Sequence, residues 1–366
     1  MPPTDPASVP TPECFFNLTR TELSENLDRE FRATQIFEAI YSQWIDDFER
    51  ITNLPKPLRA ELRNRFDIRM PTIHRSFSSD DGTHRYLLRL ADGEMAETVF
   101  IPDGRRNTLC VSSQVGCALA CSFCLTGQLG FTRNLTAGEI VSQVILLQRL
   151  NVGLENPDLF NVVLMGMGEP LHNYDNVMKA LEILHDPAGL GISMSRITLS
   201  TAGLIPELER LASEPLIPNL AVSLTGATNE RRDRLMPINQ TYPIEALAST
   251  LARFPLKPRQ RITLEYVLIR GITDSLQDAL RLTQAVGRIR VKVNLIPLNE
   301  SSDLALERSR DPKIRDFQLV LRQAGIPTFI RKSRGSDISA ACGQLKKKWA
   351  DTAPQINLEA LKIRNQ

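Results

Sequence analysis

The chain has 366 residues and a mass of 41.0 kDa, which is enough for one large domain and a smaller one. Apolar residues make up 42% and charged residues 23%, as in ordinary globular proteins, and no apolar run reaches the roughly 20 residues of a membrane span. The net charge of +2 lacks the basic excess of a typical nucleic-acid-binding domain, so charge alone identifies no partner.

The N-terminal residues 1–19 are predicted to form a flexible tail, because they begin with a proline-rich stretch. This stretch has neither the basic start nor the apolar run of a signal peptide. We therefore expect a cytoplasmic protein whose thiols stay reduced, with no membrane association.

Two further regions precede the main domain. Residues 20–75 are predicted to be a small helical accessory domain, since Ile36, Phe37, Ile40 and Trp44 recur at helical spacing. Residues 76–105 are predicted to be an extended linker or β extension, with turn residues at Asp92-Gly93 between two apolar runs.

Residues 106–335 alternate between short β-branched runs and helical patterns, and six strand–helix units follow one another. Such a succession predicts an α/β fold with a parallel sheet, either open or closed toward a barrel. Both arrangements place functional side chains at the carboxyl ends of the strands. Residues 336–366 are predicted to form a separate C-terminal segment.

Three cysteines follow the first of these strands with the spacing C-x3-C-x2-C: Cys117, Cys121 and Cys124. Thiolates at this density suit zinc or an iron–sulfur cluster. A structural zinc site needs a fourth ligand, and the sequence offers no second close cysteine or histidine pair. Three thiolates on a four-iron cluster leave one iron open to a substrate. The pattern resembles that of the radical S-adenosylmethionine (SAM) superfamily, which implies a partial (βα)6 TIM-like barrel.

Polar residues and glycines follow later strands. Gly166-Met-Gly-Glu169-Pro170 comes after the second strand and resembles the segment with which that superfamily binds the SAM amino group. Ser200, Ser223 and Asn299 lie at or just after the ends of other strands. A serine or asparagine there is commonly a cap or turn former, and ligand contact is an equal alternative.

Two more cysteines, Cys110 and Cys342, lie outside the C-x3-C-x2-C run. A free cysteine is commonly a small buried apolar residue, which is the simplest interpretation of each alone. Cys14, in the predicted tail, is assigned no role.

Four segments together resemble the RlmN-type RNA adenine methyltransferases over nearly the whole chain: Gln114-Val-Gly-Cys117, Gly130-Phe131-Thr-Arg133-Asn134-Leu135, Met165-Gly-Met-Gly-Glu169-Pro170 and Arg334-Gly…Ala341-Cys342-Gly-Gln344. The resemblance implies methylation of adenosine at C2, at adenosine 2503 of 23S rRNA and at adenosine 37 of some tRNAs. It implies that one SAM methylates Cys342 and that a second SAM, cleaved at the cluster to a 5′-deoxyadenosyl radical, activates that methyl group.

The resemblance also implies the remaining roles. Cys110 would form a transient disulfide with Cys342, and Glu97 would accept a proton. The implied SAM contacts are Gly168, Glu169, Ser200, Ser223, Leu224, Thr225 and Asn299. Thr225 replaces a histidine that many relatives carry, which weakens the assignment of its side chain but not of its backbone.

The expected cofactors are one [4Fe-4S] cluster held by three cysteines and two SAM molecules per turnover. The expected partners are 23S rRNA, tRNA and a flavodoxin or ferredoxin as electron donor, and the chain is expected to be a monomer. RNA would contact the helical accessory domain and the basic residues Arg331, Lys332 and Arg334; Lys346 to Lys348 form a second basic cluster. Taken alone, either cluster is more often a solvated face.

Three alternatives stay open on the sequence. A Cfr-type enzyme would use the same cysteines to methylate C8 of the same adenosine. A glycyl-radical activase would need the cluster but has no use for Cys110 and Cys342. A non-enzymatic RNA-binding module would hold the cluster as a structural element.

Overall fold

The computed structural model describes residues 12–104, 107–151, 160–301 and 303–345. Residues 1–11 of the predicted tail, and residues 346–366 with the basic cluster Lys346 to Lys348, lie outside the described residues. Within the described ranges, no helix is both long enough and apolar enough to cross a membrane.

A small helical layer forms the N-terminal part of the chain. Its elements are β1 (Glu13–Cys14), a 3-10 turn (Phe15–Asn17), α1 (Arg20–Glu25), α2 (Glu30–Phe37), a π-helical turn (Glu38–Ser42), a 3-10 turn (Phe48–Arg50), α3 (Lys56–Arg65) and β2 (Phe66–Asp67). Thr19 begins α1 with a capping box, in which its side chain and that of Glu22 each accept the other's backbone N–H. β1 and β2 pair in parallel and tie the two ends of this layer together.

The prediction of a flexible tail over 1–19 is wrong for its described part. Phe15 and Phe16 are buried, and the ring of Phe15 lies 5.9 Å from that of Phe37. Asn17 accepts a hydrogen bond of 2.7 Å from the backbone of Gly138, so the segment also docks on the main domain. Burial of two adjacent aromatic side chains outweighs the disordering effect of the prolines before them.

The main domain is built on a ten-stranded sheet in the order β14-β13-β12-β11-β10-β9-β6-β5-β4-β3. Its strands are β3 (Thr72–Ser78), β4 (His84–Arg89), β5 (Met95–Ile101), β6 (Asn107–Cys110), β9 (Phe160–Leu164), β10 (Ile197–Thr201), β11 (Asn219–Ser223), β12 (Ile262–Leu268), β13 (Val291–Pro297) and β14 (Thr328–Ile330). A separate two-stranded ribbon pairs β7 (Gln114–Gly116) with β8 (Phe131–Asn134).

The six predicted strands are present as β6 and β9 to β13, all parallel, and β14 adds a seventh. Helices alternate with them: α4 (Leu125–Gln128), α5 (Ala137–Leu150), α6 (Tyr174–His185), α7 (Ile205–Leu211), α8 (Asn229–Leu235), α9 (Ile244–Arg253), α10 (Leu276–Val286) and α11 (Asp311–Gln323). The predicted partial (βα)6 barrel with an N-terminal helical part is confirmed. In this topology the carboxyl ends of all parallel strands meet at one rim.

Of the two alternatives predicted for residues 76–105, the structure has the β extension and not the linker. These residues form most of the antiparallel strands β3 to β5, and Val99 of β5 pairs with Cys110 of β6. The predicted domain boundary at residue 75 therefore falls inside β3. Continuous hydrogen bonding from β5 to β6 makes this hairpin region part of the barrel sheet, which pattern analysis of separate segments cannot detect.

Candidate active site

The segment 117–124, here called the cysteine loop, connects the β7–β8 ribbon to α4. The Cys117 N–H donates to the carbonyl of Gly130 over 2.9 Å, and the Cys124 N–H donates to the carbonyl of Cys121 over 3.1 Å. Cys124 then precedes the first residue of α4. This backbone path turns the side chains of Cys117, Cys121 and Cys124 into one cavity, called the first cavity.

The three thiols fit an iron–sulfur cluster by their chemistry. Burial raises the pKa of Cys117 to about 12 and raises the pKa values of Cys121 and Cys124 as well. Buried thiols of this kind ionise readily only when a metal cation replaces their protons. Among the described residues, no three His, Cys, Asp or Glu side chains converge on one point as ligands of a single ion. In a four-iron cluster each thiolate binds a different iron, so the sulfurs stand apart.

Glu169 lies in the turn after β9 and borders the first cavity. Its two carboxylate oxygens accept hydrogen bonds from the backbone N–H groups of Leu171 (3.1 Å) and Ala202 (2.8 Å). Burial nevertheless raises the pKa of Glu169 to about 7. A positive ligand group such as an ammonium would offset that burial. Gly168 has φ +104°, and a Cβ there would come within 2.6 Å of the Gln114 side chain, so the turn requires glycine.

The structure brings some of the predicted SAM-contacting residues together and not others. Ser200, Ser223 and Asn299 line the first cavity together with Gly168 and Glu169. Leu224 packs in the hydrophobic core instead, and the Thr225 hydroxyl accepts a hydrogen bond of 3.2 Å from the backbone N–H of Val267. Neither of these two residues lines the first cavity.

Cys342 lies where the first cavity meets a second cavity, and it lines both. Cys110, at the end of β6, lines the second cavity. Burial raises the pKa of Cys110 to about 12, with a further increase from the charge of Cys342 and an opposing effect of Arg331. Cys342 itself is exposed, so the two cysteines present one accessible thiol and one protected thiol to the same space.

The C-terminal loop, residues 333–345, is anchored on both sides of Cys342. The Asn299 amide donates to the Cys342 carbonyl over 3.0 Å, and the Leu125 N–H donates to the carbonyl of Gly343 over 2.8 Å. On the other side, the Arg85 guanidinium donates to the Ser339 carbonyl over 3.0 Å. These contacts place Cys342 between the cysteine loop and the antiparallel hairpin of β3 and β4.

Glu97 is fully buried in β5 and is not among the residues that line the two cavities. Its carboxylate lies 3.8 Å from the guanidinium of Arg85, which also holds the C-terminal loop. The backbone carbonyl of Glu97 accepts a hydrogen bond of 2.5 Å from Ser112. Glu97 is therefore linked to the Cys342 region through Arg85 and not by direct exposure to the cavity.

Sequence reasoning missed Glu265 and gave Arg331 only a general role. Glu265, in the middle of β12, is buried and lines the first cavity, with one oxygen 3.0 Å from the amide nitrogen of Asn294. Arg331 lines both cavities and lies 4.0 Å from Glu265. A single carboxylate inside an otherwise apolar strand was the available signal for Glu265.

Comparison with known families gives two matches on different parts of the chain. Residues 111–283 match the radical SAM superfamily. Residues 15–68 match the N-terminal domain of ribosomal RNA large subunit methyltransferases. The second match begins at Phe15, where the structured N-terminal layer begins to be buried.

Whole-chain relatives are also found. The "Dual-specificity RNA methyltransferase RlmN" of Syntrophotalea carbinolica is 48% identical, covering 92% of this chain and 91% of the relative. The protein of the same name from Syntrophobacter fumaroxidans is 45% identical, covering 91% and 98%. The crystal structure of a radical SAM methyltransferase from Sphaerobacter thermophilus superposes with a TM-score of 0.87 at 44% identity, covering 92% of this chain and 100% of that one.

Proposed function

This chain belongs to the RlmN family of radical SAM RNA methyltransferases, and we propose that it methylates C2 of adenosine in RNA through a methylated Cys342. The substrates we propose are adenosine 2503 of 23S rRNA and adenosine 37 of some tRNAs. The observation that carries the proposal is the position of Cys342, which borders both the cavity of the cysteine loop and the cavity of Cys110.

The target chemistry explains why a thiol is needed. C2 of adenine lies between two ring nitrogens and is too electron-poor to attack the methyl group of SAM. A thiolate is a strong nucleophile, so the exposed Cys342 accepts the methyl group first. The methyl carbon must then be delivered to the ring while still attached to the protein.

Cys117, Cys121 and Cys124 would hold the [4Fe-4S] cluster, and Glu169 would hold the amino group of SAM beside it. Bound there, cluster and SAM supply the hydrogen-abstracting radical that activates the methyl group on Cys342. Ser200 and Ser223 would orient SAM from the ends of their strands, and Phe123 would exclude water at the cavity wall.

Release of the product requires a base and a second thiol. Cys110 shares the second cavity with Cys342, and its thiolate would attack the Cys342 sulfur to form a transient disulfide. The bond between that sulfur and the transferred carbon would break, and the carbon would keep the electron pair and take up a proton to give the methyl group. Glu97 would take the proton that the ring must lose, with Arg85 as its buried partner. Since Glu97 is fully buried, access of the proton requires the hairpin or the C-terminal loop to shift when RNA binds.

The RNA is proposed to enter through the second cavity, whose wall includes Arg331, Lys332 and Arg334. Phe329, next to them on the edge strand β14, is 53% exposed and can stack on a base. The helical N-terminal layer is proposed to add further contacts to the phosphate backbone of the RNA. Binding should weaken steeply with salt because such cations act on phosphates; an affinity insensitive to salt would contradict this surface.

We further propose that turnover uses two SAM molecules, that a flavodoxin or ferredoxin supplies the electron, and that the enzyme acts as a monomer. The names of the whole-chain relatives support C2 over the C8 alternative. The paired thiols Cys110 and Cys342 support a methyl-transfer enzyme over a glycyl-radical activase or a non-catalytic RNA-binding module.

The decisive test is anaerobic reconstitution with iron and sulfide, reaction with SAM, reductant and rRNA, and mass spectrometry of the nucleosides. We expect 2-methyladenosine; 8-methyladenosine would overturn the C2 assignment. Cys342→Ala should give no methylated product, whereas Cys14→Ala, which changes a cysteine of β1, should retain wild-type activity. Full methylation by Cys342→Ala would exclude the methylated cysteine.

A further inference from the structure

Arg232, on α8, is a fully buried arginine that lines neither of the two cavities. Its guanidinium donates five hydrogen bonds to neutral oxygens of neighbouring residues. The acceptors are the backbone carbonyls of Leu224 (2.9 Å), Ala202 (2.7 Å), Ser223 (3.3 Å) and Tyr242 (3.4 Å) and the side-chain oxygen of Asn239 (2.9 Å). None of these acceptors is a carboxylate, so the hydrogen bonds leave the positive charge uncompensated.

The guanidinium stays charged at neutral pH. Burial lowers the pKa of Arg232 only to about 10; among ionisable groups Cys121 has the largest opposing electrostatic effect, and the neighbouring Asp233 adds a smaller one. A buried charge that is hydrogen-bonded to neutral acceptors remains unfavourable, which is why proteins pair such groups. The three thiolates of the cysteine loop are the natural source of the missing negative charge, and they acquire it when they bind the cluster.

The position of α8 supports this pairing. The N–H of Ser122, in the middle of the cysteine loop, donates to the carbonyl of Leu235 at the end of α8 over 3.0 Å. Met236, which follows, lines the first cavity. The helix that carries Arg232 is thus in direct contact with the loop that would hold the cluster.

Arg232 also connects this loop to the strand rim. Its acceptors include Ala202, whose N–H binds Glu169, and Ser223, which lines the first cavity. Gly226 has φ +119°, and a Cβ there would come within 3.0 Å of three atoms of Arg232. The turn after β11 therefore needs glycine to pack closely over this residue.

We propose that Arg232 is the buried counter-charge of the iron–sulfur cluster. We also propose that it is a positioning residue, which holds the carboxyl ends of the parallel strands in the arrangement that binds SAM. The proposal rests on the cluster assignment made under the proposed function. A positive charge in a medium of low dielectric constant stabilises the reduced, more negative cluster, so it raises the reduction potential. The hydrogen bonds to the carbonyls of Ser223 and Ala202 separately fix the backbone at Ser223 and at Ala202, whose N–H binds Glu169.

Two variants separate charge from position in the anaerobically reconstituted full-length protein. Arg232→Met removes both the charge and the hydrogen bonds. We expect the equilibrium constant for reduction of its cluster to fall at least tenfold, which is a shift of the potential by 59 mV or more in the negative direction for a one-electron couple. Arg232→Lys keeps the charge but cannot make five bonds, so we expect a near-wild-type potential with SAM bound at least fivefold more weakly. Redox titration followed by electron paramagnetic resonance and equilibrium SAM binding provide the two readouts.

The matched control is Arg234→Met, which removes the same charge from an exposed position on the same helix, where Arg234 pairs with Glu230 over 2.9 Å. It should change neither readout. A wild-type reduction potential in iron-loaded Arg232→Met would overturn the proposed role of Arg232 as counter-charge. If that variant does not fold, a reduction equilibrium constant lowered tenfold or more in Arg232→Lys overturns the counter-charge. Unchanged SAM binding in Arg232→Lys overturns the positioning role.

The outcomes also distinguish this inference from the proposed function. If the potential shifts as expected but no variant or wild-type protein methylates RNA, the counter-charge is supported and the RNA assignment fails. A wild-type protein that binds no iron contradicts both. Methylation with a potential independent of residue 232 supports the function and excludes this role of Arg232.

Discussion

The two cavities that meet at Cys342 are built in different ways. The ligands of the first come from one short loop, Cys117 to Cys124, backed by the ends of successive parallel strands. The second joins Cys110 of β6 to a C-terminal loop that is held by an antiparallel hairpin. A site formed from one contiguous loop keeps its chemistry when distant parts shift, whereas a site formed from distant segments depends on every contact that joins them.

The largest effect is expected in the first cavity. Cys117→Ala should abolish iron binding and methylation, because a cluster with two remaining thiolate ligands is not retained. Iron and sulfide analysis after reconstitution measures this. Cys14→Ala should bind iron like the wild type, and a Cys117→Ala protein with four irons per chain would contradict the ligand assignment.

A substitution in the second cavity should block a later step of the reaction. Cys110→Ser should still hold iron and methylate Cys342 but stop after one encounter with RNA, because no second thiol releases the adduct. Denaturing gels should show RNA covalently bound to the protein. The double variant with Cys342→Ala should show no such band, and multiple turnovers by Cys110→Ser would exclude the disulfide step.

A pH effect on stability is expected from Glu169 in the first cavity. Burial raises its folded-state pKa from 4.5 to about 7, so the folded protein holds a proton that the unfolded chain has lost in this window. Stability should therefore fall by up to about 3 kcal/mol as pH rises from 4.5 to 7 and then level off.

The test is the free energy of unfolding of the SAM-free protein, measured with denaturant at pH 5 and at pH 7.5. The difference between the two pH values should be smaller in Glu169→Gln than in the wild type. Glu245→Gln, at an exposed carboxylate whose pKa is lowered by a hydrogen bond from Asn229, should not reduce it. The same slope in wild type and Glu169→Gln would show that Glu169 does not titrate in this range.

The smallest effect is expected where the hairpin holds the C-terminal loop. Asp81 accepts a 3.0 Å hydrogen bond from the Gly335 N–H. Although partial burial acts in the opposite direction, hydrogen bonds from Thr83 and Gly335 lower the pKa of Asp81 to about 2. Asp81→Asn should loosen the loop by about 1 kcal/mol and reduce turnover about fivefold.

Hydrogen exchange at residues 335–342 should become faster in Asp81→Asn. The neighbouring exposed Asp80 provides the control, since Asp80→Asn should change neither exchange nor turnover. Equal exchange in Asp81→Asn and the wild type would show that the hairpin does not restrain the loop.

Sequence patterns predicted the first cavity better than the second. The alternation of strands and helices placed Ser200, Ser223 and Asn299 at one rim, where the structure has them. The side chains of Leu224 and Thr225 do not face the cavity, because Leu224 packs in the hydrophobic core and Thr225 turns toward Val267. Arg232 lies in a helix so rich in charge that its sequence is typical of a solvated surface, and only the packing of α8 buries it.

By itself, the sequence determined the local chemistry of this protein: three thiols at cluster spacing, a glycine–glutamate turn after a strand, and the succession of strands and helices. These features are set by short-range geometry, so they can be recognised without the fold. Only the tertiary structure decided that β3 to β5 join the barrel sheet through pairing of β5 with β6, that Phe15 and Phe16 are buried, and that Cys110 and Cys342 share a cavity. Each of these depends on contacts between residues far apart in the chain, whose partners no local pattern specifies.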